Sequence, residues 1–189
     1  KLRGVNRHDE YPDVGRATRH GHWLEDLRKM KDNNINYIRS RHYAPAPGFL
    51  ALCDSIGMYV SDEVSLGGGD EHFRDPSYAE GVLLRAYETV TRDINSPSVI
   101  FWTIGNEDPF TPVHLAACKL VKALDGSRPA AMPWRAEGWL PKEFDILAPH
   151  YWQPAQYDSL ARASSRPIIS TEYTHAYGTH AMGGLEARW

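Results

Sequence analysis

Apolar positions along the chain follow two alternating patterns: short runs of branched and aromatic residues, and longer stretches spaced for one face of a helix. The strongest run is Val99, Ile100, Phe101, Trp102 and Ile104, preceded by Pro97 and broken at Gly105. Near-continuous apolarity of that length predicts a strand buried on both faces. Weaker runs predict strands at Leu2–Asp9, Ile35–Arg39, Met58–Ser61, Ala130–Pro133, Asp145–Ala148 and Pro167–Thr171. Between them, Trp23, Leu27 and Met30 share one helical face, and the helix should run to about Lys31. The pair Pro45 and Pro47 opens a second helix through Cys53 to Ile56, which Gly57 ends. Leu83, Tyr87, Val90 and Ile94 mark a third, and Val113, Ala117, Leu120 and Leu124 a fourth that stops at Gly126.

Polar residues are distributed asymmetrically around these strands. Asn6 to Glu10 follow the first, Ser40 to Tyr43 the second, Asp62 and Glu63 the third, Asn106 and Glu107 the fourth. His150, Tyr151 and Trp152 follow the sixth and Glu172 the seventh, whereas little but Gly, Asn and Pro precedes any strand. One working rim on parallel strands means an α/β fold, either a (β/α)8 TIM barrel or a doubly wound sheet. No GxGxxG or Walker pattern follows the first strand, and Gly67-Gly68-Gly69 lacks the Gly-Lys-Ser/Thr of a phosphate loop. The barrel is therefore expected. Seven strands are visible where closure needs eight and roughly 250 residues, so the barrel reads as truncated and residues 1–189 as one domain of a larger multidomain chain.

Composition narrows the partners. The net charge of −3 gives no reason to expect nucleic acid or an anionic membrane, and no apolar run approaches the roughly 20 residues of a membrane span. Six Trp and ten Tyr are enough to build both a core and a platform for a flat ligand such as a sugar ring. Trp102 is expected in the core, and Trp134, Trp139 and Trp152 on rim loops. Cys53 and Cys118 fall in helical patterns and read as buried thiols rather than a disulfide. The chain starts at Lys1 with no signal-peptide pattern, like an excised middle, which leaves the compartment unassigned with the cytoplasm slightly favoured.

Glu107 and Glu172 are the candidates for chemistry, because strands four and seven face each other across a barrel mouth. Two facing carboxylates suit a retaining glycosidase when about 5–5.5 Å apart, and an inverting one at roughly 6.5–9.5 Å. The charge of one would hold a proton on the other. Arg39 could serve that pair or bind Asp62 or Glu63.

Five segments, GVNRHDEYP at Gly4–Pro12, IRSRHY at Ile38–Tyr43, DSIGMYVSDE at Asp54–Glu63, SVIFWTIGNE at Ser98–Glu107 and PIISTEYTHAYG at Pro167–Gly178, resemble the catalytic barrel of glycoside hydrolase family 2. The likeness is strongest to its β-galactosidases and is colinear over the whole chain. It implies a retaining enzyme that cleaves terminal β-glycosides, foremost β-galactosides, with β-glucuronidase and β-mannosidase as alternatives. It implies Glu107 as acid/base, Glu172 as nucleophile, Asn106 on the sugar 2-hydroxyl, and Tyr151 and Arg39 on the nucleophile. His8, His42 and His175 would contact sugar hydroxyls. Flanking β-sandwich domains, and oligomerisation of the full-length protein, are implied as well. The magnesium of some β-galactosidases is bound by a Glu-x-His pair after the third strand. Here Val-Ser-Leu-Gly-Gly-Gly follows Asp62-Glu63, and Asp70, Glu71 and His72 come a few residues on but out of that register, so a metal-free site is expected, with magnesium as the alternative.

Two other classes compete. A metal-dependent hydrolase could use His8, Glu10, His42, Asp62, Glu63, His150 and His175 as a ring of ligands, although the first strand lacks His-x-His. A carbohydrate-binding barrel that is inactive because it is incomplete is the other, and its exposed strand edges would favour association of this segment expressed alone.

Overall fold

A computed structural model describes residues 1–67, 71–134 and 140–173. Six parallel strands are arranged in sequence order: β1 (Gly4–Arg7), β2 (Tyr37–Ser40), β3 (Tyr59–Val64), β4 (Val99–Ile104), β5 (Ala130–Trp134) and β6 (Ile146–Pro149). Helices α1 (His20–Asp32), α2 (Pro47–Ile56), α3 (Ala79–Asp93) and α4 (Pro112–Leu124) make the crossovers, and α5 (Pro154–Ala163) follows β6. A doubly wound sheet reverses its order at a switch point; this one does not, and it is the curled sheet of an incomplete (β/α)8 barrel.

Alternation along the strands sorts side chains between two cores. Ile38, Val60, Trp102, Ile104 and Met132 face the helices and pack with Leu27, Phe49, Cys53, Val90, Cys118 and Val121. Tyr37, Phe101, Ala131, Ile146 and Ala148 form a smaller cluster on the inner face. There the Tyr37 hydroxyl and Ser61 Oγ are 2.7 Å apart, and a Cβ on Gly4 would meet the Tyr37 ring at 2.1 Å. Above this floor the inner positions become polar, with Arg39, Glu63 and Thr103, all fully buried.

Several expectations are met. β4 is buried as the apolar run required, Trp102 is core with Nε1–H donating to Asp125, and both cysteines are free and buried, which pushes their thiols up to about 12. Gly57 ends α2 at φ 74°, in the left-handed region. Others are corrected. β3 runs on to Val64, so Asp62 and Glu63 lie within the strand and point to opposite sides. Tyr87 is exposed, because the buried face of α3 is Val82, Ala86, Thr89, Val90 and Asp93. The seventh strand is not a ladder: residues 167–173 meet β6 only through single bridges, Leu147 with Ile168 and His150 with Glu172. Helix α5 carried no apolar stripe to announce it and buries no residue fully. No helix among the described residues is long and apolar enough to cross a membrane.

Candidate active site

Local backbone geometry at the strand ends places the side chains. After β4 the chain turns at Gly105 (φ 68°), and Glu107 itself is left-handed at φ 54°. The Asp108 carboxylate accepts from the Asn106 backbone N–H at 3.1 Å, and a Cβ on Gly105 would lie 2.3 Å from its Oδ2. His114 Nδ1 accepts from Thr111 at the start of α4, so its Nε2–H faces Asp108 at 3.5 Å. The Glu107 N–H donates to the Pro133 carbonyl at 2.8 Å, which ties the loop to β5. After β6, Tyr151 is left-handed at φ 58° and its N–H donates to the Glu172 carbonyl at 2.8 Å. Non-glycine residues in this region carry strain that the surrounding contacts must offset.

Arg39, rising from β2, is the centre of the site. Its Nε and Nη2 donate to Glu63 Oε2 at 3.0 and 2.7 Å, Nη2 to Asn106 Oδ1 at 2.7 Å, and Nη1 to Glu172 Oε1 at 2.8 Å. Arg41 Nη1 is 2.8 Å from Glu172 Oε2, and the Tyr151 hydroxyl donates to that same oxygen. Burial alone would raise the pKa of Glu172, but the Tyr151 hydrogen bond, the neighbouring His150 and the charges of Arg39 and Arg41 outweigh it and hold the carboxyl at about 2. Tyr151 is pushed upward by burial and by the carboxylate it faces.

His150 Nδ1 lies 2.8 Å from Glu107 Oε1, and its Nε2 is 2.8 Å from Thr171 Oγ1. Burial lowers its pKa despite the Glu107 contact, which favours the neutral imidazole. Ligand-type atoms of Glu107, His150 and Glu172 all lie within 4.8 Å of one another.

Of the residues the sequence singled out, Arg39, Asn106, Glu107, Tyr151 and Glu172 are brought together. His42 joins through Glu63, with Nδ1 3.1 Å from Oε1. His8 is exposed beside it, ring centroids 5.6 Å apart, and its pKa is lowered by burial and by Arg41. His175 and Trp139 lie outside the described residues. Sequence reasoning assigned no such place to Arg41, Thr171, Glu63 or His150, although the last two stood in the ring of possible metal ligands. A second arginine two residues after Arg39, on the same rim, was the available signal for Arg41.

The whole chain, residues 1–189, matches the model of the TIM barrel domain of the family 2 glycosyl hydrolases. The chain belongs to glycoside hydrolase family 2. A β-galactosidase of Alteromonas mediterranea is 34% identical over 210 residues, covering 100% of this chain and 20% of the relative. One from Vibrio vulnificus is 33% identical over 207 residues, with the same coverage. The family 2 barrel of this chain thus spans about a fifth of the curated relatives it matches. Among solved structures, a GH2 β-galacturonidase from Eisenbergiella tayi bound to galacturonate superposes with a TM-score of 0.80 and 26% identity, over 95% of this chain and 37% of the other. A β-D-glucuronidase from Dictyoglomus thermophilum, at 21% identity and a TM-score of 0.82 over the same shares, supports the fold.

The residues that follow β3 contain no Glu-x-His pair. The run from Val64 through Gly69 offers neither carboxylate nor imidazole, and Leu66 is buried in the outer core.

Proposed function

We propose that the protein carrying this barrel hydrolyses terminal β-galactosides with retention of configuration, Glu172 acting as nucleophile and Glu107 as acid and then base. The observation that carries the reading is that one carboxylate oxygen of Glu107 lies within 4.8 Å of one of Glu172, an approach that suits the closely spaced pair of a retaining enzyme. Glu172 is held ionised by Arg39, Arg41 and Tyr151, as attack on the anomeric carbon demands. Forming the glycosyl–enzyme bond breaks the bond to the leaving oxygen, which takes the Glu107 proton. Water then gives a proton back to Glu107 as it releases the sugar from Glu172. In this reading Asn106, anchored by Arg39, hydrogen-bonds the 2-hydroxyl, and His8 and His42 meet other hydroxyls.

A metal at Glu107, His150 and Glu172 is the competing use of the same atoms. Both oxygens of Glu172 are already engaged by guanidinium groups, so a divalent cation would meet two fixed positive charges there. The paired-carboxylate reading therefore includes no metal. A β-uronide substrate is a second reading, favoured by the superposition on the β-galacturonidase. Flanking domains and oligomerisation of the full-length protein belong to the same proposal.

The test is hydrolysis of nitrophenyl β-galactoside, β-glucuronide and β-mannoside by the full-length protein, beside Glu107→Gln and Glu172→Gln. Activity on the galactoside, cut by about 10³-fold or more in both variants, supports the proposal. Activity on the glucuronide instead moves it to the second reading. Activity indifferent to both changes overturns the mechanism.

A further inference from the structure

The end of β6 delivers two consecutive side chains to two different carboxylates, Tyr151 to Glu172 and His150 to Glu107. The second contact has no part in the mechanism above. We infer that His150 is a positioning residue that dictates which oxygen of Glu107 carries the transferable proton, and that the Thr171 hydroxyl fixes the imidazole tautomer that does so. The inference rests on the two-glutamate reading and deepens it.

His150 is fully enclosed, and the charged or titratable groups facing it are Glu107, Glu172 and Arg39, with Tyr151 adjoining. Glu172 Oε1 lies 3.9 Å from Nδ1 and already accepts from Arg39, so Glu107 Oε1 at 2.8 Å is the partner of Nδ1. A neutral imidazole has one N–H. When Glu107 is ionised it can only accept, so that N–H must be on Nδ1. Nε2 is then an acceptor, and its partner, the buried Thr171 hydroxyl, can donate to it. The opposite tautomer would set the Nδ1 lone pair against the carboxylate.

Kept in this tautomer, Nδ1–H occupies Glu107 Oε1 in both protonation states. The acid's proton is thereby confined to Oε2, and no proton passes to or from the histidine during turnover. The device reaches the acid/base through a direct hydrogen bond, whereas Glu172 takes its hydrogen bonds from Arg39 and Tyr151. It also explains why Thr171 and Glu172 are adjacent. One short segment supplies the nucleophile, and the hydroxyl that orients the partner of its opposite number.

The experiment uses the full-length protein with His150→Phe, His150→Asn and Thr171→Val, and Glu107→Gln as control. Each is assayed on dinitrophenyl β-galactoside, which needs no acid, and on methyl β-galactoside, which does. His150→Phe should lose about 10²-fold in kcat/KM on the methyl glycoside and only a few-fold on the dinitrophenyl one, with the alkaline limb moved upward because a donor to the carboxylate is gone. His150→Asn retains an N–H close to the Nδ1 position and should recover most of the loss. Thr171→Val should show the same leaving-group selectivity more weakly. Equal losses on both substrates with an unmoved alkaline limb, or an Asn variant no better than Phe, would overturn the proposal and leave His150 a packing residue. If His150→Phe does not fold, Thr171→Val decides it, a leaving-group selectivity supporting the proposal and equal losses on both substrates overturning it. If Glu107→Gln itself shows no leaving-group selectivity, the two-glutamate reading has failed, and this inference with it.

Discussion

At the scale of single residues, Arg39 shows how one guanidinium can settle several questions together. Its donors reach Glu63, Asn106 and Glu172, so the two contacts foreseen for it, with Glu63 and with Glu172, are made at the same time. Glu172 sits at about 2, below the ordinary carboxylate range. It therefore contributes stability at pH values above that range, which is lost as the pH falls toward 2. Arg39→Met should raise the Glu172 pKa, moving the acid limb of kcat/KM up by about one unit or more and cutting activity about 10³-fold. Tyr151→Phe should move the same limb in the same direction by less; a pH–rate profile of the full-length protein checks both. Arg39 and Glu172 were legible as candidates because motifs carry them. The contact of His150 with Glu107 was not, since it joins positions 43 residues apart and only the curvature of the sheet brings the two together.

Elements hold these residues by means that substitution can probe. The turn after β4 needs Gly105 twice over, for its φ of 68° and for the Asp108 carboxylate packed where a Cβ would be. Gly105→Ala should cost about 2 kcal/mol or more and lower kcat by displacing Glu107. Gly57→Ala, also left-handed but with nothing within 4 Å of its Cβ, should cost about 1 kcal/mol and leave kcat unchanged. Thermal melts beside rate measurements separate the two. On the other side of β3, Asp62 is fully buried beneath α3, and the side chain it meets there is the carboxyl of Asp93. Burial and that acid neighbour raise its pKa, so the native state retains a proton that the unfolded chain releases. Stability must then fall as pH rises above the ordinary carboxylate range. Asp62→Asn should match the native protein near pH 4 and exceed it by on the order of 1 kcal/mol near pH 8, measured by urea denaturation.

At the scale of the molecule, the sheet has an open side. Among the described residues β1 pairs only with β2, and a cleft of about 720 Å³ separates Gly4 and Asn6 from Ser170, Thr171 and Tyr173. Unpaired strand edges invite association. Residues 1–189 expressed alone should form oligomers or aggregates in light-scattering chromatography; a monodisperse monomer would contradict this.

The sequence by itself determined the alternation of strand and helix, the single polar rim and the family. Each of these is written in local periodicity or in contiguous motifs, and needs no knowledge of what lies across the barrel. Even so, α5 escaped notice because it buries no residue fully, and the seventh strand was expected where only two bridges form. Tertiary structure alone decided that Asp62 and Glu63, neighbours in β3, part company, one to the carboxyl of Asp93 beneath α3 and the other to Arg39 and His42. It likewise decided that His150 and Tyr151 divide two carboxylates between them. The physical reason is the same in both cases. A strand sends successive side chains to opposite faces, the backbone turn at its end re-aims those that follow, and which partner waits there is fixed by residues distant in the chain.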